Sequence, residues 1–130
     1  MRHALTIFAV EDLGVMRRFY EQACGWPVAV EVPVYVEFAL PAGMRFGLYA
    51  RQGYALQVGG EPERRTPGLP GRTELYLTVA ADEFAAALAR VRAAGARELS
   101  QAAPRDWGDE VAYFADPEGN VLAVARPVPR

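Results

Sequence analysis

The sequence predicts an α+β protein built from two copies of a strand-helix-strand-strand-strand (βαβββ) module. The order of elements indicated by hydrophobic periodicity occurs twice along the chain. Val10 recurs as Val79, 69 residues later, and segment 38–43 matches segment 114–119 at four of six positions. A repeat this short buries its apolar face best against its copy, so we expect the halves to share a sheet or stack across one.

In the first half, segment 4–10 is rich in strand-forming residues and is followed by Asp12, a good N-cap. The apolar stripe after Asp12 predicts a helix over 13–24, which Gly25 ends. Three strands should follow, at 28–32, 35–40 and 45–51, with a turn at 41–43 between the last two.

The second half begins after a stretch rich in Gly and Pro, for which we expect a connector with a short extended piece at 55–58. The predicted boundaries are 1–51 for the first module, 52–72 for the connector and 73–130 for the second module, all in one compact domain. The second module should contain strands at 73–79, 98–101, 110–115 and 121–126, and a helix that Gly95 ends.

Composition excludes several functional classes. Fourteen basic residues, all of them arginine, face 16 acidic ones, for a net charge of −2, so a nucleic-acid or anionic-membrane partner is not expected. The single cysteine, Cys24, excludes an internal disulfide and a Cys-rich zinc site, and it is predicted to be a small core residue. Segment 4–10 is too short for a signal peptide or a membrane span, so the cytoplasm is the expected location.

Two stretches of the sequence form recognisable motifs. The first is Val10-Glu11-Asp12-Leu13 with Phe19-Tyr20 and Gly25-Trp26; the second is segment 114–120 (Phe-Ala-Asp-Pro-Glu-Gly-Asn) with Trp107-Gly108 upstream. Together they resemble the vicinal oxygen chelate superfamily, which contains glyoxalase I, bleomycin-resistance proteins and extradiol dioxygenases. The resemblance implies a cupped mixed sheet with the helices outside, a cleft inside the sheet and a homodimer.

The metal-dependent relatives place four ligands on inward-facing strand positions. In this sequence those positions fall on Leu5, on Gly47 (or Leu48, if the register shifts by one), on Glu74 and on Ala123. Three of the four cannot donate to a metal, and a lone carboxylate does not hold a divalent ion. The resemblance therefore implies a member without a metal cofactor. His3, the only histidine, is expected to be a solvated residue near the terminus.

Strand alternation from those four positions predicts which residues line the cleft. The opposite, helix-packed face should carry Phe8, Val10, Phe46, Leu48, Leu75, Leu77, Val79, Leu122 and Val124. Trp26 should pack internally, whereas Trp107, in a polar loop, is a candidate for stacking on a planar ligand. The predicted ligand-binding residues are Leu5, Ile7, Arg45, Tyr49, Glu74, Tyr76, Trp107 and Ala123, and strand alternation adds Gly47 and Val121 to the lining.

Purely structural roles are also compatible with three of the predicted ligand-binding residues. Glu74 could form an ion pair with Arg45 or Arg51 that involves no ligand. Tyr49 and Tyr76 could be ordinary strand residues whose hydroxyls reach water.

Three functions are compatible with the sequence. The favoured one is a metal-independent binding protein of the bleomycin-resistance type, which holds an aromatic or amphipathic small molecule in a cleft at a dimer interface. The alternative is a glyoxalase-like lyase, isomerase or dioxygenase, with Glu74 as the sole recognisable metal ligand or as a catalytic general base made more basic by burial. In that enzyme, Arg45 or Tyr76 would stabilise an enolate-like charge. The third is a structural or regulatory module whose dimer surface is its function.

Overall fold

A computed structural model describes residues 1–129 and contains the predicted βαβββ module twice. The first module consists of β1 (Leu5–Val10), α1 (Leu13–Cys24), β2 (Val28–Val32), β3 (Tyr35–Ala39) and β4 (Arg45–Ala50). A short helix, α2 (Arg51–Val58), occupies the first part of the stretch predicted as the connector, 52–72. The second module consists of β5 (Glu74–Thr78), α3 (Phe84–Ala93), β6 (Arg97–Pro104), β7 (Asp109–Ala115) and β8 (Val121–Pro127).

The strands of each module form their own four-stranded sheet, and the two sheets have the same topology. Their orders are β1-β4-β3-β2 and β5-β8-β7-β6, with the first pair of each sheet parallel and the others antiparallel. The predicted fold class is therefore confirmed. Contacts divide the chain into two compact units, Met1–Glu21 with Gly25–Arg64, and Gln22–Cys24 with the residues from Arg65 onward. Among the described residues, no helix has the length and apolar character needed to cross a membrane.

One face of the first sheet forms an aromatic core with α1. Phe8, Val10, Phe46 and Leu48 are buried on this face, as predicted from strand alternation. The ring of Tyr20 on α1 lies 5.0 Å from that of Phe46, edge to face. Trp26 lies 5.9 Å from the Phe46 ring, which confirms that it packs internally.

The ends of α1 follow the predicted capping pattern. The Asp12 carboxylate accepts a hydrogen bond from the Val15 amide at 3.0 Å, and Gly25 ends the helix at φ 68°. A left-handed residue at this position favours glycine, which has no Cβ to clash. The only cysteine lies in the last turn of α1; burial raises the pKa of the Cys24 thiol to about 12, which makes it a poor nucleophile.

In the second module, α3 buries Phe84, Leu88 and Val91. On the predicted helix-packed face, Leu122 and Val124 are buried, whereas Leu75, Leu77 and Val79 are half-buried. The hairpin turn between β7 and β8 depends on the buried Asp116, which accepts hydrogen bonds from the amides of Glu118 and Asn120 at 2.9 and 3.0 Å.

The extended piece predicted at 55–58 is wrong, because these residues complete α2. Ala55, Leu56 and Gln57 are good helix formers, and Gly59 ends the helix at φ 88°. A short apolar run such as 55–58 can form either a strand or a helix. In the structure it continues the helix that begins at Arg51, so it is helical. Strand β6 also extends beyond the predicted 98–101, with register shifts against β7.

Candidate functional site

The face of the first sheet opposite Phe46 and Leu48, here called the first open face, carries the predicted site residues of this module. Residues paired across neighbouring strands project to the same face of a sheet. Leu48 is fully buried on the core side, so Gly47 is the open-face residue and the alternative register is excluded. The first open face is formed by Leu5, Ile7, Arg45, Gly47 and Tyr49, with Tyr35 and Glu37 from β3.

A hydrogen-bonded network of three side chains lies on the first open face. Glu37 Oε1 accepts from the Tyr35 hydroxyl at 2.7 Å, and Glu37 Oε2 accepts from Arg45 Nη1 at 3.1 Å. The Glu37 side chain is 15% exposed and that of Arg45 is 42% exposed. Burial, and then the hydrogen bond to Glu37, raise the pKa of Tyr35 above its usual range.

Sequence reasoning missed Tyr35 and Glu37, although a signal for them existed. Phe38 is an evident core residue, so alternation along β3 would have placed Glu37 and Tyr35 on the other face. Gly47 carried a second signal, because a glycine inside a strand often marks a close approach by another group.

Gly47 leaves room for the ring of Tyr35. A Cβ at residue 47 would lie 2.7 Å from Tyr35 Cε1 and 2.8 Å from Tyr35 Cζ, closer than real contacts allow. The position that corresponds to a metal ligand in the relatives is therefore covered by a tyrosine ring.

Tyr49 packs among other aromatic rings. Its ring centroid lies 5.2 Å from that of Tyr35 and 5.8 Å from that of Tyr54 on α2. Gly53 allows this approach, since a Cβ there would lie 2.8 Å from Tyr49 Cε1. Of the predicted apolar lining, Leu5 is half-buried and Ile7 is 38% exposed.

The second sheet has an equivalent surface, here called the second open face. Its floor is made of small side chains, with Ala123, Ala125 and Val111 fully buried. Ala123 pairs with Tyr76 on one side and with Tyr113 on the other, so two tyrosines flank it.

Tyr76 and Trp107 are joined to Asp109 by hydrogen bonds. The Tyr76 hydroxyl donates to Asp109 Oδ2 at 2.5 Å and accepts from Trp107 Nε1 at 2.7 Å. The side chains are nevertheless well exposed, Tyr76 at 39% and Trp107 at 57%. Desolvation is the largest cause that raises the pKa of Tyr76, followed by the bond to Asp109. The sequence indicated Tyr76 and Trp107 but not Asp109, which connects them.

Trp107 is held by a tight turn between β6 and β7. The Gly108 amide donates to the Arg105 carbonyl at 3.2 Å, and Gly108 has φ 94°. Arg105 braces this turn, because its guanidinium donates to the Val111 carbonyl at 2.9 Å and lies 5.2 Å from the centroid of the Tyr113 ring. The turn therefore fixes the indole beside the strand residues.

The burial that the general-base role would require of Glu74 is absent, because its side chain is exposed. Strand β5 is an edge strand whose other face is already half-buried, so Glu74 projects to solvent. The arginines considered as its partners bind other carboxylates: Arg45 pairs with Glu37, and Arg51 pairs with Glu11 at 3.4 Å. Arg51 is buried, so its ion pair holds the start of α2.

The residues at the metal-ligand positions do not fit a divalent ion. Leu5, Gly47 and Ala123 offer no side-chain donor, and Glu74 alone cannot complete a coordination shell. Over residues 1–129, no three His, Cys, Asp or Glu side chains are grouped so as to hold a metal. His3 is exposed, as predicted, and contacts Thr6 Oγ1 at 3.0 Å.

The first module also has a surface groove of about 490 Å³ at the start of α1. An ion pair between Arg17 and Glu31 spans it. None of the predicted site residues lies there. The groove is lined by Leu13, Gly14, Arg17, Glu31, Val32, Pro33 and Val36.

In each βαβββ module the first strand pairs in parallel with the last strand, and one face of the sheet is not covered by the helix of its own module. This duplicated arrangement is typical of a class of small proteins built from two such modules. This chain belongs to the family described as the glyoxalase-like domain, which it matches over residues 5–125, within the vicinal oxygen chelate superfamily. None of the curated proteins matches the sequence significantly.

Solved structures with the same fold cover nearly the whole chain. A glyoxalase-related enzyme from Fulvimarina pelagi is 26% identical, with a TM-score of 0.81 over 97% of this chain and 88% of that one. A glyoxalase/bleomycin resistance protein/dioxygenase from Nocardioides is 20% identical, with a TM-score of 0.81 over 98% and 84%. A lactoylglutathione lyase from Agrobacterium tumefaciens is 19% identical, with a TM-score of 0.70 over 95% and 91%. The last two likenesses concern the fold alone.

Proposed function

We propose that this chain is a metal-independent small-molecule-binding protein of the bleomycin-resistance type. Its ligand is aromatic or amphipathic and is held in the cleft of the cupped sheet, at a dimer interface. The observation that carries the proposal is the network in which Asp109 and Tyr76 orient the exposed indole of Trp107. Exposed aromatic side chains that are already fixed in place lose little conformational entropy on binding.

The second open face supports this proposal by its chemistry. Its exposed part consists of the aromatic side chains of Tyr76 and Trp107, whose polar atoms are engaged, beside the small apolar residues Ala123 and Ala125, which are covered. Small-molecule sites combine an apolar lining with a few fixed polar groups in this way. The absence of donors at Leu5, Gly47 and Ala123 favours binding without a metal.

Tryptophan fluorescence tests the proposal, because the chain has two tryptophans in different settings. A planar probe such as 2-naphthamide should quench Trp107, which is 57% exposed, and leave Trp26 in its aromatic cluster unaffected. The Trp26→Phe variant should keep the quenching signal. Trp107→Phe should lose that signal and weaken the affinity measured by calorimetry; unchanged affinity in Trp107→Phe and Trp107→Ala would contradict the proposed site.

The proposed homodimer rests on the family resemblance. Analytical ultracentrifugation across a concentration series should give a mass twice that of the 14.2 kDa chain. A monomer at all concentrations, with the probe still bound, would remove the dimer from the proposal and leave the binding.

The second candidate function is a glyoxalase-like lyase, isomerase or dioxygenase. The observation that favours it is the likeness to the glyoxalase-related enzyme from Fulvimarina pelagi, at 26% identity. Elemental analysis of purified protein discriminates the two, because stoichiometric iron, manganese, nickel or zinc would favour the enzyme. The exposed position of Glu74 weakens its metal-free version, which needs a buried general base.

A further inference from the structure

We infer that Arg45 forms an anion-binding site on the first open face, whose ligand class is an amphipathic carboxylate or a similar organic anion. The inference rests on the proposed function, since it takes the chain to bind a small molecule. It concerns the first open face, whereas the proposal above depends on Trp107 in the second module.

Glu37 is fully occupied by its two neighbours. Both of its carboxylate oxygens are engaged, one by the Tyr35 hydroxyl and the other by Arg45 Nη1, and its side chain is only 15% exposed. Glu37 therefore has little capacity left for a ligand. Its role is to position Arg45, with Tyr35 as the second anchor.

Arg45 uses only part of its hydrogen-bonding capacity. A guanidinium has five N–H donors in a planar fork. Within residues 1–129, Arg45 makes one side-chain hydrogen bond, to Glu37, and the side chain is 42% exposed. The remaining donors of Arg45 are available, and a guanidinium edge binds carboxylate oxygens in pairs through charge-assisted hydrogen bonds.

The surface around the Arg45 guanidinium is apolar. Leu5 is the direct strand partner of Arg45, and Ile7, two residues along the same face, is 38% exposed. Gly47 adds no side chain beside them. A cation held next to apolar groups matches a ligand that has a negative group at one end and an apolar body.

Glu37 also explains why the arrangement is fixed before a ligand arrives. An arginine tethered through one Nη atom has fewer conformations to lose on binding than a free one. The hydroxyl of Tyr35, whose ring Gly47 accommodates, also holds Glu37 in place through its hydrogen bond. The network therefore holds an oriented organic cation on the same face of the sheet as Gly47.

The test uses three probes that share a ring and differ in charge: 2-naphthoate, 2-naphthamide and 2-naphthylmethylammonium. Calorimetry on the full chain should show naphthoate binding roughly tenfold more tightly than naphthamide, the size expected for one charge-assisted contact.

Arg45→Met, which keeps the apolar stem, should abolish this preference for naphthoate over naphthamide. Arg92→Met is the matched control, because Arg92 is also about half-exposed (49%) and paired with one carboxylate, Glu98; it should keep the preference.

The outcomes separate this inference from the proposed function. Equal affinities for the three probes would overturn the anion subsite and leave the proposed binding function. Tighter binding of the ammonium probe would overturn the anion subsite and would indicate that carboxylates of the second module attract the probe. Naphthoate binding that depends on Arg45 but not on Trp107 would support the subsite and contradict the proposed aromatic site. Failure of all three probes to bind would overturn both.

Discussion

Gly47 and Tyr35 form a matched pair, since one residue provides the space that the other fills. The Tyr35 ring covers the glycine, and its hydroxyl ties it to Glu37. Because the two residues fit together, replacing either one while the other is present should lower the free energy of unfolding.

We expect Gly47→Ala to destabilise the protein by about 1–3 kcal/mol, the usual cost of overpacking a tight site. In a Tyr35→Ala background, the same change should cost less than about 0.5 kcal/mol, because the clashing ring is gone. Urea unfolding of the four proteins measures this coupling. Equal costs in the two backgrounds would show that the ring does not restrict residue 47.

Tyr35 also predicts how stability depends on pH. Its pKa is raised in the folded state by burial and by Glu37, so the folded protein retains a proton that the unfolded chain loses above about pH 10. Its stabilising contribution is present below that pH and is lost as the pH rises toward the folded pKa. Tyr35→Phe should therefore lose less stability than the wild type between about pH 9 and 11.

Urea midpoints of both proteins across this range check the prediction. The chain contains no lysine, so no ammonium group of a side chain titrates in the same window. Cys24 and Tyr76 contribute with the same sign in both proteins and cancel in the difference. Parallel curves for the two proteins would contradict the role given to Tyr35.

At the scale of elements, the β7–β8 turn is the best-fixed connection of the second module. Asp116 is 4% exposed and accepts from the Glu118 amide, the Asn120 amide and Asn120 Nδ2. These bonds set the turn that aligns β8 between β5 and β7, so they act on the whole sheet.

We expect Asp116→Ala to lower the free energy of unfolding by about 2–3 kcal/mol, because two partly buried amides and the Asn120 side chain lose their acceptor. The control is Asp82→Ala, at an exposed position before α3, which should change stability by less than about 0.5 kcal/mol. Thermal unfolding by circular dichroism compares them. A loss no larger in Asp116→Ala than in the control would show that the turn does not need this carboxylate.

Sequence reasoning predicted the elements well where hydrophobic period and caps agreed. The bounds of α1 follow from Asp12, Gly25 and the apolar stripe between them, all of which are local signals. The helix α2 could not be recognised in the same way, because its apolar residues are few and Leu56 is 84% exposed. Its buried anchor, Arg51, has the residue type least expected in a core.

At the scale of the whole molecule, the fold could be predicted from the repeat, since matching segments in two halves constrain topology more than any single element does. Strand alternation then placed Arg45, Tyr76 and Ala123 on the correct faces. The hydrogen-bonded networks could not be predicted, because they depend on the register of β3 against β4 and on the turn that brings Trp107 beside Tyr76. The general-base alternative would need a buried Glu74, but strand alternation predicts only the face of a residue and not its burial, and Glu74 is exposed on the edge strand β5.

Ligand binding by this chain should need no metal, and chelation is the decisive measurement. We would measure 2-naphthoate binding by calorimetry before and after exhaustive dialysis against EDTA, and again after adding back manganese, nickel or zinc. We expect one dissociation constant in all of these conditions, because Leu5, Gly47 and Ala123 offer no donor to an ion. Binding that disappears with EDTA and returns with a divalent ion would contradict a metal-independent site.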